Sequence, residues 1–176
     1  TRELLNVKLA NNFRFKENKD LPTNNQLGQK TSNFFTETIF NPYEFFNIKY
    51  NSSIKNNLSD IEYENLITEF KINNFVTTFD YVNENNTIDK NSYLTSTAKY
   101  LFDNSNNLSY STRENKTADL TEYYNLVYQY KNDCLAASLE YNKEYYDDRD
   151  IDPSEGIFFK LTIIPFGEAS SHNLKN

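Results

Sequence analysis

Leu120-Thr121-Glu122-Tyr123-Tyr124-Asn125-Leu126-Val127-Tyr128-Gln129-Tyr130 is the stretch whose reading decides the fold. Its even positions (Leu120, Tyr124, Leu126, Tyr128 and Tyr130) are mostly large and apolar, and its odd positions are mostly polar. Successive side chains of a β-strand point to opposite faces, so the stretch reads as a strand with one apolar and one wet face. At about ten residues it is long enough to cross a bilayer at a tilt. The pattern recurs down the chain and points to an outer-membrane β-barrel more than to a soluble domain.

Working outward, further strands are predicted over residues 5–16, 32–40, 44–53, 60–72, 75–82, 92–102, 108–114, from 134 onward, and 156–164. Asn41-Pro42 reads as a tight turn, because proline presets one turn angle. In the 60–72 strand the apolar phase moves near Asn65, from Ile61 and Tyr63 to Leu66, Phe70 and Ile72, and a one-residue β-bulge would account for it. Short connections mostly alternate with longer ones, the link after the seventh strand breaking the trend. Outer-membrane barrels show this asymmetry between periplasmic turns and external loops. The expected fold class is all-β, an antiparallel up-and-down meander of about ten strands. A Greek-key sandwich would not give the alternation.

The chain has 176 residues, enough for one domain, and no Met, so the sequence is expected to be a mature or truncated piece. No run of about 18 apolar residues exists, which excludes a transmembrane helix but not a barrel. The 14 Tyr and 14 Phe suit strands and interfacial girdles. With a net charge of -7 and no basic stripe, nucleic acid is not an expected partner. Gly and Pro are scarce, and Asn takes most turn positions because it tolerates left-handed backbone.

There is one Cys and one His. Cys134 and His172 make a poor metal site, and Cys134 is structural, reactive or paired outside this segment. His172 stands in a polar tail, 168–176, and reads as incidental. No Ser-His-Asp arrangement, Gly-rich phosphate loop or carboxylate pair is visible, so no catalytic residue, cofactor or metal is expected and the chain does not read as an enzyme. Asp147, Asp148, Asp150 and Asp152 share a loop with Arg149. Calcium is conceivable there, but the spacing lacks an EF-hand pattern, and a solvated loop is the better reading.

The last third carries a resemblance. Its residues are Tyr128-Gln129-Tyr130-Lys131-Asn132-Asp133-Cys134, then Tyr141 and Tyr145, then Asp148-Arg149-Asp150-Ile151-Asp152-Pro153-Ser154, then Gly156-Ile157-Phe158-Phe159-Lys160-Leu161. This resembles the C-terminal end of the LptD family of lipopolysaccharide-assembly proteins, also called organic solvent tolerance proteins. The match covers about residues 123–167; upstream it rests on strand pattern alone. The resemblance implies that residues 1–167 are the C-terminal part of a large outer-membrane barrel of 26 strands. It also implies a separate N-terminal periplasmic domain that meets a periplasmic lipopolysaccharide-bridge protein. The implied partners are lipopolysaccharide, outer-membrane lipid and an LptE-type plug lipoprotein, and the implied place is the outer membrane of a Gram-negative cell.

In that family lipopolysaccharide leaves through a lateral opening between the first and last strands. The resemblance makes the tenth strand, with Ile157, Phe159, Leu161 and Ile163, one wall of that gate. Pro165, which cannot donate to a ladder, is expected to end its pairing. Cys134 sits where the family bonds to cysteines near its N-terminus; many members have two adjacent Cys, whereas here Leu135 follows. The predicted topology puts Cys134 on the periplasmic, oxidising side. On the second strand face, Asn125, Gln129, Glu140, Asn142, Lys160 and Thr162 are expected to point into the lumen. A porin or receptor barrel passing soluble solutes is the alternative, and a soluble β-sandwich binding module a third. The sandwich predicts apolar faces meeting in a closed core, the barrel one outward apolar band.

Overall fold

A computed structural model describes residues 3–21, 26–85, 90–145, 154–163 and 167–170. The chain is an all-β antiparallel meander. Its strands are β1 (Leu5–Ala10), β2 (Phe34–Tyr43), β3 (Phe46–Ile54), β4 (Ile61–Ile72), β5 (Phe75–Asn85), β6 (Lys90–Leu101), β7 (Asn106–Asn115), β8 (Leu120–Lys131), β9 (Leu135–Glu144), β10 (Glu155–Ile163) and β11 (Gly167–Ser170). They follow one another in the sheet in chain order, with β1 and β11 at its ends. Links after odd-numbered strands span 11–33, 55–60, 86–89, 116–119 and 145–154; those after even-numbered strands span 44–45, 73–74, 102–105, 132–134 and 164–166. No helix among the described residues is long and apolar enough to cross a membrane.

The contacts form two units, Thr1–Phe70 with Phe79–Leu94, and Lys71–Thr78 with Thr95–Asn176. In the first, Val7, Thr38, Tyr50 and Leu66 stand in one cross-strand row, and Lys8, Glu37, Asn51 and Asn65 in the next, on the opposite face. The bulge expected near Asn65 lies earlier. The register slips between Ser53 and Ile54, and Glu62 is the extra residue. That slip returns Ile61 to the face of Leu66 and leaves Tyr63 on the other.

Two expected boundaries differ. Asn41-Pro42 is not the turn; it is a second slip, between Phe40 and Tyr43 inside β2, and the turn is 44–45. A bulge leaves a residue outside the ladder, which is where a proline without an N–H can sit. The first strand stops at Ala10 and not near residue 16. There Asn11 Nδ2 donates to the Ser32 carbonyl (2.8 Å) and Asn12 N to Ser32 Oγ (2.8 Å), turning the chain into a folded connection. Phe13 then bridges to Thr31, and Asn18 N donates to the Gly28 carbonyl at 2.8 Å. Gly28 is required at this approach, since a Cβ would lie 2.4 Å from the Asn18 carbonyl oxygen.

In the second unit β7 to β10 are joined by three successive registers. Leu108, Tyr128, Leu139 and Phe159 make one row, and Tyr110, Leu126, Tyr141 and Ile157 the row beside it on the same face. Glu122 is the extra residue of a third slip, opposite Arg113 and Glu114. Asx turns hold the short links: Asp103 Oδ1 accepts from Ser105 N and Asn106 N, and Asn132 Oδ1 from Cys134 N and Leu135 N, all within 2.9 Å.

The tail reading needs correction. Residues 167–170 are strand, with Lys160 opposite Ser170 and Ile163 opposite Gly167. β10 is therefore not the last strand, and β11 covers its Lys160–Ile163 end. Four residues are too few for periodicity to register. The acidic loop residues Asp147, Asp148, Arg149, Asp150 and Asp152, and His172, lie outside the described residues.

Among the described residues no hydrophobic side chain is buried; those that are buried are Ser32, Asn33, Ser52, Ser53, Glu62 and Asn65. Every one is polar.

Candidate functional site on the polar face

Register alone assigns the faces of the second unit. Asn125 stands between Ser111 and Asn142, Gln129 between Asn107 and Ser138, Glu140 between Val127 and Phe158, and Lys160 opposite Ser138. Thr162 is opposite Ala136, which is opposite Lys131. Because side chains alternate, Asn125, Gln129, Glu140, Asn142, Lys160 and Thr162 all share one face. Ile157, Phe159, Leu161 and Ile163 share the other with Leu126, Tyr128 and Leu139. On that second face Leu126, Tyr128, Leu139, Phe159 and Ile157 keep between 39 and 55% of their surface exposed. Tyr124 stacks against Tyr110 at 6.1 Å and meets Tyr145 edge-on at 5.6 Å, grouping aromatic rings at one end of it.

The polar face has two depressions. One, of about 360 Å³, is lined by Ser111, Tyr123, Asn125, Asn142 and Glu144. It opens because Gly156, opposite Asn142 on β10, contributes no side chain. Asn125 Nδ2 donates to Glu140 Oε1, Asn142 Nδ2 to Glu144 Oε1 (2.8 Å), and Ser154 Oγ to Glu144 Oε2 (2.9 Å). The other, of about 320 Å³, is lined by Gln129, Lys131, Ser138, Lys160 and Thr162 together with Ala136 and Ala137. Arg113 Nε meets the bulged Glu122 Oε2 at 2.9 Å on the neighbouring strands.

The first unit carries a polar network that sequence reasoning missed. Asn33, fully enclosed, donates through Nδ2 to Ser53 Oγ (3.0 Å) and to Glu62 Oε2. Asn65 receives the amide of Asn51 (3.1 Å) and donates to Asp80; Asn83 Nδ2 donates to Glu64 Oε1 (2.9 Å). Glu37 bridges Lys8 (2.7 Å) and Lys49 (3.0 Å) across three strands. The signal was present: Ser52-Ser53 and Glu62 interrupt their strands' alternation, and such interruptions mark bulges and buried polar contacts.

Cys134 is a free, exposed thiol in the 132–134 link, its backbone N–H held by Asn132. Ser111, Tyr123, Lys131, Ser138 and Glu144 line the depressions beside the residues singled out from sequence. They were not found because a cavity depends on which small side chains lie between large ones on neighbouring strands. Among the described residues no group of three or more His, Cys, Asp and Glu side chains is placed to hold a metal. No protein-family model and no characterised protein matches this chain.

Proposed function

We propose that this chain forms part of the wall of an outer-membrane β-barrel, and that the barrel inserts lipopolysaccharide into the outer leaflet through a lateral gate. One observation carries the membrane part: the β7–β10 face with the largest apolar side chains is exposed while the opposite face holds the hydrogen-bonded polar residues. Hydrocarbon in place of water removes the cost of that exposure. β8, with 12 residues, is about 40 Å long and spans about 30 Å at a tilt near 40°, which matches a bilayer core. A β-sandwich would have buried its apolar faces.

The lipopolysaccharide part rests on the resemblance in residues 123–167. In this reading the gate lies at the β10–β11 end of the sheet, with Ile157, Phe159, Leu161 and Ile163 facing lipid. Asn125, Gln129, Glu140, Asn142, Lys160 and Thr162 face a hydrated lumen filled by a plug lipoprotein. Cys134 pairs with an N-terminal cysteine.

Two readouts on the full-length protein test the two parts. In a Cys134→Ser background, spin labels at Leu126 and Phe159 should be relaxed by dissolved oxygen in a bilayer. Labels at Asn125 and Lys160 should respond to a water-soluble nickel chelate. Equal response at all four sites sinks the wall. Depleting the protein should strand new lipopolysaccharide inside the cell; undiminished surface delivery with the label pattern intact leaves a barrel of another kind, a porin or receptor. Non-reducing gel mobility that changes on reduction, and not in Cys134→Ser, is the expected sign of the disulfide.

A further inference from the structure

We infer that the connection between β1 and β2 docks on a layer of anionic lipid headgroups, through the rings of Phe13 and Phe15 and the cations of Arg14, Lys16, Lys19 and Lys30. The inference rests on the membrane part of the reading above, and it names the lipid chemistry that this connection meets.

The connection is a hydrogen-bonded ribbon. Ser32 N donates to the Asn12 carbonyl at 2.9 Å and Arg14 N to the Lys30 carbonyl at 2.7 Å, which sets Phe13 opposite Thr31. Arg14 Nε donates to the Leu27 carbonyl at 3.0 Å, and Gly28 permits the close approach of Asn18. At the base Asn56 Nδ2 donates to the Thr31 carbonyl at 3.1 Å, and Asn33 is fixed on Ser53 and Glu62. Side chains alternate along paired backbone, so Phe13 and Arg14 point to opposite faces of the ribbon. Phe15 returns to the side of Phe13, and the two rings meet edge-on at 5.8 Å. Phe13 is 66% exposed and Phe15 94%. The bonded backbone thus holds a pair of rings outward, where water is a poor solvent for them.

Charge selects what covers the rings. Residues 11–33 carry Arg14, Lys16, Lys19 and Lys30 against Glu17 and Asp20, an excess of cations in a chain whose net charge is -7. Lys16, Lys19 and Lys30 are exposed and take part in no hydrogen bond or ion pair among the described residues. In sequence Arg14 stands between the two rings and Lys16 directly after the second. A leaflet offers apolar depth beneath a charged layer, so one surface meets the rings and the cations together. Lysine stems lie along apolar surface while their ammonium groups stay with the headgroup phosphates. Each cation near an anionic bilayer strengthens such docking about fivefold.

The test uses the full-length protein in nanodiscs. 4-Trifluoromethylphenylalanine is placed by codon reassignment at Phe15, or for reference at Phe159 on the apolar face or Tyr123 on the polar face. The ¹⁹F relaxation caused by dissolved oxygen is divided by that caused by a water-soluble nickel chelate. In phosphatidylglycerol discs the Phe15 ratio should lie near that of Phe159 and well above that of Tyr123. Lys16→Gln combined with Lys30→Gln should lower the population of docked over free ribbon about 25-fold, at about fivefold per charge. Phe15 should then approach the Tyr123 ratio while Phe159 keeps its own, which shows the wall still folded. Zwitterionic phosphatidylcholine in place of phosphatidylglycerol should move Phe15 the same way. A Phe15 ratio equal to that of Tyr123 beside a high Phe159 ratio would overturn the docking and leave the wall standing. Equal ratios at all three sites would remove the wall and the docking with it. Phe15 shielded from both reagents would show the rings covered by protein, and a ratio unmoved by the lysine substitutions and by phosphatidylcholine would show the cations idle; either result overturns the inference.

Discussion

Asn33 shows how a single residue is used where every buried side chain among the described residues is polar. Its amide links the connection after β1 to Ser53 on β3 and to the bulged Glu62 on β4. Removing it leaves an enclosed carboxylate without a donor, which costs more than the bond itself. Asn33→Ala should destabilise the fold by about 1–3 kcal/mol, read from denaturant unfolding in detergent; an unchanged midpoint would show the network to be incidental. Leu58 carries the opposite lesson. It holds φ 60° in the 55–60 link, in the left-handed region that a branched side chain disfavours. Leu58→Gly should stabilise by about 1 kcal/mol in the same assay. A loss of stability there would show that the Leu58 side chain contributes packing worth more than the backbone strain.

At the scale of elements, turns made by acidic and amide side chains set where strands end. Asp103 lies in the 102–105 link and accepts from the Asn106 side chain and from the Ser105 and Asn106 backbone. Those bonds favour the charged form, the Asn106 side chain most, so the carboxyl titrates below its usual 3.8. A lowered value in the folded state gives stability that is present above the unfolded value and lost as pH falls through the folded one. The turn should thus be intact at neutral pH and loosen below about pH 4. The Ser105 and Asn106 amide resonances should move with a midpoint under 3.8; a midpoint above it would refute the cap. Asp60 behaves alike in the 55–60 link, held down first by the Ser59 hydroxyl and then by Lys55.

For the whole molecule the decisive property is which face meets which solvent. Leu126 and Asn125 are neighbours in β8 and point to opposite faces. In a membrane wall, Leu126→Lys should cost about 2–4 kcal/mol and Asn125→Lys much less. The two variants, compared by urea unfolding in lipid vesicles, check the assignment; equal costs would contradict it. β1, at the end of the strand order, presents Leu5, Val7 and Leu9 largely exposed, and an open edge of this kind invites pairing with further strands.

The sequence by itself determined the strands, their order and their two faces, because period-two alternation is a local property and a meander joins neighbours in the chain. It placed Asn125, Gln129, Glu140, Asn142, Lys160 and Thr162 on the face opposite Leu126 and Ile157 for the same reason. Only the tertiary structure decided the registers. It put the slips at Glu62, at Asn41-Pro42 and at Glu122, because a bulge is chosen by the partner strand as well as its own. It alone added β11, whose four residues carry no readable period and which is a strand because β10 offers an edge. It alone formed the depression lined by Gln129, Lys131, Ser138 and Thr162, since a hollow exists only where small side chains such as Ala136 and Ser138 are set between larger ones by strand pairing.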